Sequence, residues 1–286
     1  MSSATTSSSV DKEAAQYKSL RLEIHGEIAK VVLIGPGKGN AMGPDFWSEM
    51  PKLFEQLDKD DQVRVIILCG DGDNFSYGLD LPAMMNQPGF KMIGQNLAAE
   101  RTRFLDMALE MQKAINGVAS CRKPVIAAVH GWCIGAGLDL ISACDIRIAS
   151  SNAKFSLREV KVAIVSDMGS LQRLPYVIGE ANTRDLALTG RDIDARYAEK
   201  INLVTEVFDS AEALFAGAQE RAQAIADNPP IVVQGIKRVM NQAKAQQLNT
   251  NLDFVVLWNS AFMQSNDLIE AMMAFQQKRP PKFKGN

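Results

Sequence analysis

Residues 125–143, VIAAVHGWCIGAGLDLISA, decide the architecture. Val125 to Val129 is a short apolar run that suits a buried strand. Gly131 to Gly137 is a glycine-rich turn, and Leu138 to Ala143 reads as a helix. The same alternation recurs on both sides. Before it, Val63 to Leu68 is a second buried strand, closed by the turn Gly70-Asp71-Gly72-Asp73. Asp45 to Leu57 carries Phe46, Met50, Leu53, Phe54 and Leu57 at helical spacing, and Leu20 to Ile34 forms two short strands around His25-Gly26. Leu81 to Ala119 has a Met- and Leu-rich periodicity, broken at Pro88-Gly89. After it, Ile146 and Ile148 mark a strand, helices fit 169–174, 183–188, 195–200 and 211–226, and Val204 to Phe208 is the last strand. From Pro230 to Gln277 only helix is expected. This order predicts an α/β core with a helical C-terminal portion, divided as a tail 1–16, a core 17–208 and a helical region 209–286.

Composition narrows the function classes. Of 286 residues, 47% are hydrophobic and 22% charged, which supports one large core and excludes collagen, coiled coil and wholesale disorder. Lys+Arg 31 against Asp+Glu 33 gives a net charge of -2, so no global basic excess draws the chain to nucleic acid or an anionic membrane. No apolar stretch reaches the ~18 residues of a membrane span. Cys69, Cys121, Cys133 and Cys144 form no C-x-x-C pair, and with two histidines no zinc site is expected; the thiols read as buried and reduced. Met1 to Val10 is a Ser/Thr run resembling neither a secretory nor a transit peptide and reads as a floppy tail, while Lys284-Gly285-Asn286 is not the peroxisomal tripeptide. The expectation from these ends is a cytoplasmic protein.

Two turns could carry chemistry: Asn74 to Asp80, and His130 to Gly137. Glycine lets a backbone approach a ligand closely, and free N–H groups at a helix start can hold an anion or a polarised carbonyl. Two such turns meeting at one point would form an oxyanion hole. Neither is a phosphate-binding signature, and either could be plain strand–helix punctuation. Among the acids, Asp139 lies in the first turn of a helix, where it could simply offset the dipole. Glu159 and Asp167 flank Val160 to Val165, an almost wholly apolar stretch that would raise a carboxyl's pKa. A salt bridge to Arg158 or Lys161 for Glu159, and an N-cap for Asp167, are the ordinary alternatives. No nucleophilic triad is evident.

At these residues the chain resembles the enoyl-CoA hydratase/isomerase (crotonase) superfamily, from about Tyr17 to Lys284. The resemblance is carried by Lys38-Gly39-Asn40-Ala41-Met42, by Phe75, Gly78 and Asp80 in the first turn, and by Gly131 to Asp145. Arg173-Leu174-Pro175 with Ile178-Gly179, and the tail from Ala274-Phe275 to Phe283, complete it. It implies a crotonase-like spiral of ββα units with a helical C-terminal trimerisation region, the trimers often pairing into hexamers. It also implies an acyl-CoA substrate whose thioester oxygen accepts the N–H groups of Leu79 and Ala136. Most relatives have Gly at the second place, and Ala demands an ordinary φ there. Lys38 and Ala41 would lie near the CoA adenine and phosphates and Gly78 and Gly135 at the substrate, with Phe275, Lys278 and Lys282 supplied by a neighbouring subunit. CoA belongs to the substrate, so no cofactor and no metal are implied.

The acids single out a branch. Hydratases of this family use two glutamates, at positions matching Asp139 and Glu159. The Δ3,5-Δ2,4-dienoyl-CoA isomerases instead carry Asp, then Glu 20 residues on, then Asp 8 further, which is the spacing of Asp139, Glu159 and Asp167. The resemblance therefore implies isomerisation of 3,5-dienoyl-CoA to 2,4-dienoyl-CoA in fatty acid β-oxidation. Glu159 would serve C2 and Asp167 C6, with Asp139 in support. The rival readings are an enoyl-CoA hydratase, a dehalogenase with Asp167 as nucleophile, and a silent acyl-CoA-binding homologue.

Overall fold

The computed structural model describes residues 17–87 and 97–286; the N-terminal tail and the part of the Met-rich stretch beyond Gln87 lie outside the described residues. A hairpin of β1 (Leu20–His25) and β2 (Ile28–Leu33) opens one edge of a six-stranded sheet. The sheet continues through β3 (Val65–Gly70), β4 (Val125–Val129), β6 (Ile146–Ser150) and β9 (Val207–Phe208), in the order β1-β2-β3-β4-β6-β9. All its pairs beyond the hairpin are parallel. A second sheet, in the order β5-β7-β8, holds β5 (Trp132–Ile134), β7 (Lys154–Ser156) and β8 (Asp192–Asp194). These three-residue strands were not expected from the sequence, because three residues are too short to show a period of two.

The two sheets give the spiral. β4 passes to β5 and then to α4 (Ala136–Ser142). β6 passes to β7 and then to the 3-10 turn Glu159–Val162. β3 passes to Ser76, which bridges Cys133 of β5, and then to α2 (Leu81–Met85). Each turn of chain thus repeats strand, short strand, helix, and consecutive turns stack in parallel.

Strand alternation sorts the core. Ala29, Val31, Leu33, Ile66, Leu68, Ala127 and Val129 face α1 (Pro44–Lys59) and α3 (Ala98–Ser120). Ile28, Val32, Ile67, Cys69, Ile126 and Ala128 face α8 (Ala211–Ala226), whose Leu214, Ala218, Ala222 and Ala226 recur every four residues. Burial on both faces explains the unbroken apolar runs. The four cysteines are buried free thiols. Between them, α5 (Ser170–Arg173), α6 (Pro175–Thr189) and α7 (Ala195–Lys200) fill the connections, and α9 (Pro230–Gln242), α10 (Ala245–Phe262) and α11 (Asn266–Gln276) complete the chain. Here α10 packs on α3 and α5, and α11 on the 159–162 turn, so the C-terminal helices help to wall the site. No helix among the described residues is long and apolar enough to cross a membrane.

Candidate active site

The two glycine turns meet. The Phe75 and Ser76 amides donate to the carbonyls of His130 and Trp132 at 2.8 and 2.9 Å, and Ile134 N–H returns to the Ser76 carbonyl at 3.0 Å. Asn40, in the left-handed conformation at φ 45°, anchors the first turn by donating its amide to the carbonyls of Asp71 and Asn74 at 2.9 and 2.8 Å. Gly78 has φ 81°, and a Cβ there would sit 2.5 Å from the Ile134 carbonyl oxygen and 3.0 Å from the Ala136 nitrogen. Glycine is therefore required both for its backbone and for the approach of the turns. Gly135 takes φ 54° and ψ −120°, which leaves Ala136 as the first helical residue of α4. The alanine thus pays no backbone strain. Among the described residues no protein acceptor takes the N–H of Leu79 or Ala136, as befits a helix start and a turn open to a ligand.

The three carboxyls are held in different ways. Asp139, 1% exposed, projects from the first turn of α4, and its Oδ1 accepts the Ser170 amide at 2.6 Å. Burial raises its pKa, opposed by that hydrogen bond and by the field of Arg173. Glu159 opens the 3-10 turn that Ala163, at φ 57°, closes. A Cβ on Gly135 would lie 3.3 Å from Glu159 Oε1, so the carboxyl sits against the second glycine turn. Its Oε2 is buried and has no partner among the described residues. The residue as a whole is half-buried because it opens on a cavity, yet burial of the carboxyl and then the Asp139 charge push its pKa well up. Asp167 is likewise half-buried, and its Oδ2 accepts the Asn259 amide at 2.8 Å. Burial lifts its pKa to about 7 against that hydrogen bond.

The ordinary roles fall away. Arg158 forms a bidentate pair with Asp192 at 2.9 Å, and among the described residues no cation pairs with Glu159. Gly169, not Asp167, precedes α5, and no side chain caps that helix. Glu159 and Asp167 are thus two carboxyls of raised pKa held in unlike environments.

One cavity of about 1,210 Å³ collects them. Its lining includes Ala41, Leu79, Gly135 and Ala136 together with Asp139, Glu159 and Asp167. Phe104, Ala108 and Met111 of α3 and Leu268, Met272 and Phe275 of α11 add to its apolar lining. Phe275, expected from a neighbouring subunit, lines the cavity of its own chain. Gly78 stands behind the lining, where it seats the Leu79 turn. Lys278 and Lys282 are exposed beyond α11 and do not line the cavity. Lys38 belongs to the 3-10 turn Gly37–Gly39, and its side chain lies outside the described residues.

Three site residues escaped the sequence. Asn259, Gln112 and Ser170 hold Asp167 and Asp139 through contacts made across the fold. A signal existed for Asn259: it falls in the stripe Leu252, Val255, Val256 of α10, where an amide on an apolar face needs a partner.

Residues 23–286 match the family model for enoyl-CoA hydratase/isomerase. The chain is 39% identical over 99% of its length to the mitochondrial Δ3,5-Δ2,4-dienoyl-CoA isomerase of Dictyostelium discoideum, covering 97% of that protein. It is 40% identical over 93% of its length to the peroxisomal enzyme of the same description from Arabidopsis thaliana, again covering 97%. Among solved structures, an enoyl-CoA hydratase/isomerase from Pseudoalteromonas atlantica T6c superposes with a TM-score of 0.81 at 27% identity, over 93% of this chain and all of that one. The cytoplasmic expectation is overturned here, since these isomerases are named mitochondrial and peroxisomal. Such addresses are read by receptors and leave no trace in a fold.

Proposed function

The chain belongs to the enoyl-CoA hydratase/isomerase family and is an isomerase within it, and on that premise we propose that it converts 3,5-dienoyl-CoA to 2,4-dienoyl-CoA in fatty acid β-oxidation. The observation that carries this is the pair of raised carboxyls, Glu159 and Asp167, on one cavity beside two free backbone donors. Burial raises the pKa of Glu159 to about 8 and that of Asp167 to about 7, so of the two arrangements that share one proton, the one with Glu159 ionised and Asp167 protonated is the less populated. It is from this state that Glu159 takes a proton from C2. The charge spreads through the diene to the thioester oxygen, which the Leu79 and Ala136 N–H groups hold. Protonated Asp167 then delivers a proton to C6, and the carboxyls return to their starting states by exchange with solvent. Atoms and charge balance with no electron transfer, so the reaction calls for nothing beyond the CoA carried by the substrate. Hydration fits less well. Its second acid would be Asp139, which is buried and already accepts the Ser170 amide.

The test follows the absorbance of the conjugated 2,4-dienoyl thioester when 3,5-dienoyl-CoA is supplied. Wild type should build the band, and Glu159→Gln and Asp167→Asn should each slow it by ~10²–10⁴-fold. A wild type that binds the thioester without building the band would overturn the assignment and direct attention to hydration and halide release.

Assembly belongs to the same proposal. In α9 the buried side chain is Lys237, while Ile231, Val239 and Met240 are 84%, 72% and 68% exposed. On α10 Phe254, Trp258 and Phe262 form an exposed aromatic row. An apolar face of this extent supports a homotrimer built through the C-terminal helices, able to pair into a hexamer.

A further inference from the structure

We infer that Asn259 is a positioning residue that fixes which oxygen of Asp167 carries the exchangeable proton. The side-chain amide of Asn259, 1% exposed, contacts the Val165 carbonyl and Asp167 Oδ2, each at 2.8 Å. A carbonyl can only accept, so the atom that meets both must be the nitrogen. Its two hydrogens are then spent on these two oxygens. Oδ2 faces a donor and has no room for a proton of its own in that direction. The mobile proton is left to Oδ1, the other oxygen of a carboxyl that lines the cavity.

A second clamp holds the backbone. Gln112 of α3 donates to the Asp167 carbonyl at 2.6 Å and to the Leu252 carbonyl at 3.4 Å. Asp167 is thus gripped from α3 at its main chain and from α10 at its side chain, and turning the carboxyl over would break the Asn259 bond. The titratable groups whose charges bear on one another here are Asp139 of α4 and Glu159 of the 159–162 turn, with Arg173 of α5 acting on Asp139. What α3 and α10 bring to Asp167 is uncharged, Gln112 and Asn259. A neutral donor favours the ionised carboxyl just enough to oppose burial, which keeps both of its states within reach near neutral pH. A cation in its place would lock Asp167 ionised.

The inference rests on Asp167 as the proton donor, and two readouts separate its failure from that of the isomerase assignment. The first is an infrared titration of full-length protein with carbon-13-labelled aspartate, the Asp167 band being identified by its loss in Asp167→Asn. The second is kcat and KM with 3,5-dienoyl-CoA. Asn259→Leu removes the donor at similar volume. It should raise the Asp167 midpoint by about one pH unit, the effect of one lost hydrogen bond to a charged group, and lower kcat at least tenfold with KM within twofold. Gln112→Leu should lower the melting temperature without moving the midpoint. Where Asn259→Leu does not fold, Asn259→Ser, which adds no volume and cannot reach Oδ2, carries the same expectation. An unmoved midpoint, or an unchanged kcat, in a folded variant overturns the inference. A wild type silent on 3,5-dienoyl-CoA sinks the isomerase assignment instead, and the titration still decides whether Asn259 controls the carboxyl.

Discussion

Gly135 shows how much chemistry one missing side chain can hold. Its φ of 54° and ψ of −120° suit glycine alone, and the empty place of its Cβ lies 3.3 Å from Glu159 Oε1. Gly135→Ala should therefore strain the turn by ~1–3 kcal/mol and press on the Glu159 carboxyl. We expect a folded protein with a lower melting temperature and activity down more than tenfold, read by thermal unfolding and the dienoyl assay. Asp167 makes a separate prediction about pH. Its folded pKa is raised to about 7, above that of an unfolded aspartate, so the fold holds its proton more tightly than the open chain. The resulting stabilisation is complete below the unfolded pKa and is lost as pH rises through about 7. Asp167→Asn stays uncharged, so its melting temperature relative to wild type should climb from pH 5 to pH 8, by at least ~2–4 °C. A difference that does not change with pH would contradict the burial of this carboxyl.

Among the elements, α9 inverts the usual pattern of a surface helix. Lys237 points inward and meets Asp145 Oδ2 at 2.6 Å, while the apolar side chains point out. The same Asp145 oxygen accepts the Val125 amide at the start of β4, so this pair ties α9 to the central sheet. Lys237→Met should cost about 3 kcal/mol in denaturant unfolding, the low end for a broken buried pair, because Asp145 keeps some solvent. Helix α10 has two masters: its buried stripe packs on α3 and α5 and places Asn259 on Asp167, and its aromatic row looks outward. Long strands and helices were legible because each buries enough residues to display its period. β5, β7 and β8 were not, since a three-residue strand is defined by its neighbours.

For the whole molecule, the exposed faces of α9 and α10 bear on assembly. Sedimentation should find a trimer or its pair, and Val239→Asp should shift it toward monomer; a wild-type monomer at micromolar concentration would refute the proposed interface. The amino-acid sequence by itself determined the order of the main-sheet strands and the longer helices, the two glycine turns, and the spacing of Asp139, Glu159 and Asp167, because these depend on local periodicity and on residue type. It also carried the resemblance from which the family followed. Only the tertiary structure decided how each acid is held and what lies beside it. Arg158 could have paired with Glu159 until Asp192, 34 positions away, took it. Asp167 could have capped a helix until Asn259, 92 positions away, claimed its oxygen. Hydrogen-bond partners and burial set a carboxyl's protonation, and both are properties of contacts between distant segments that no local pattern encodes.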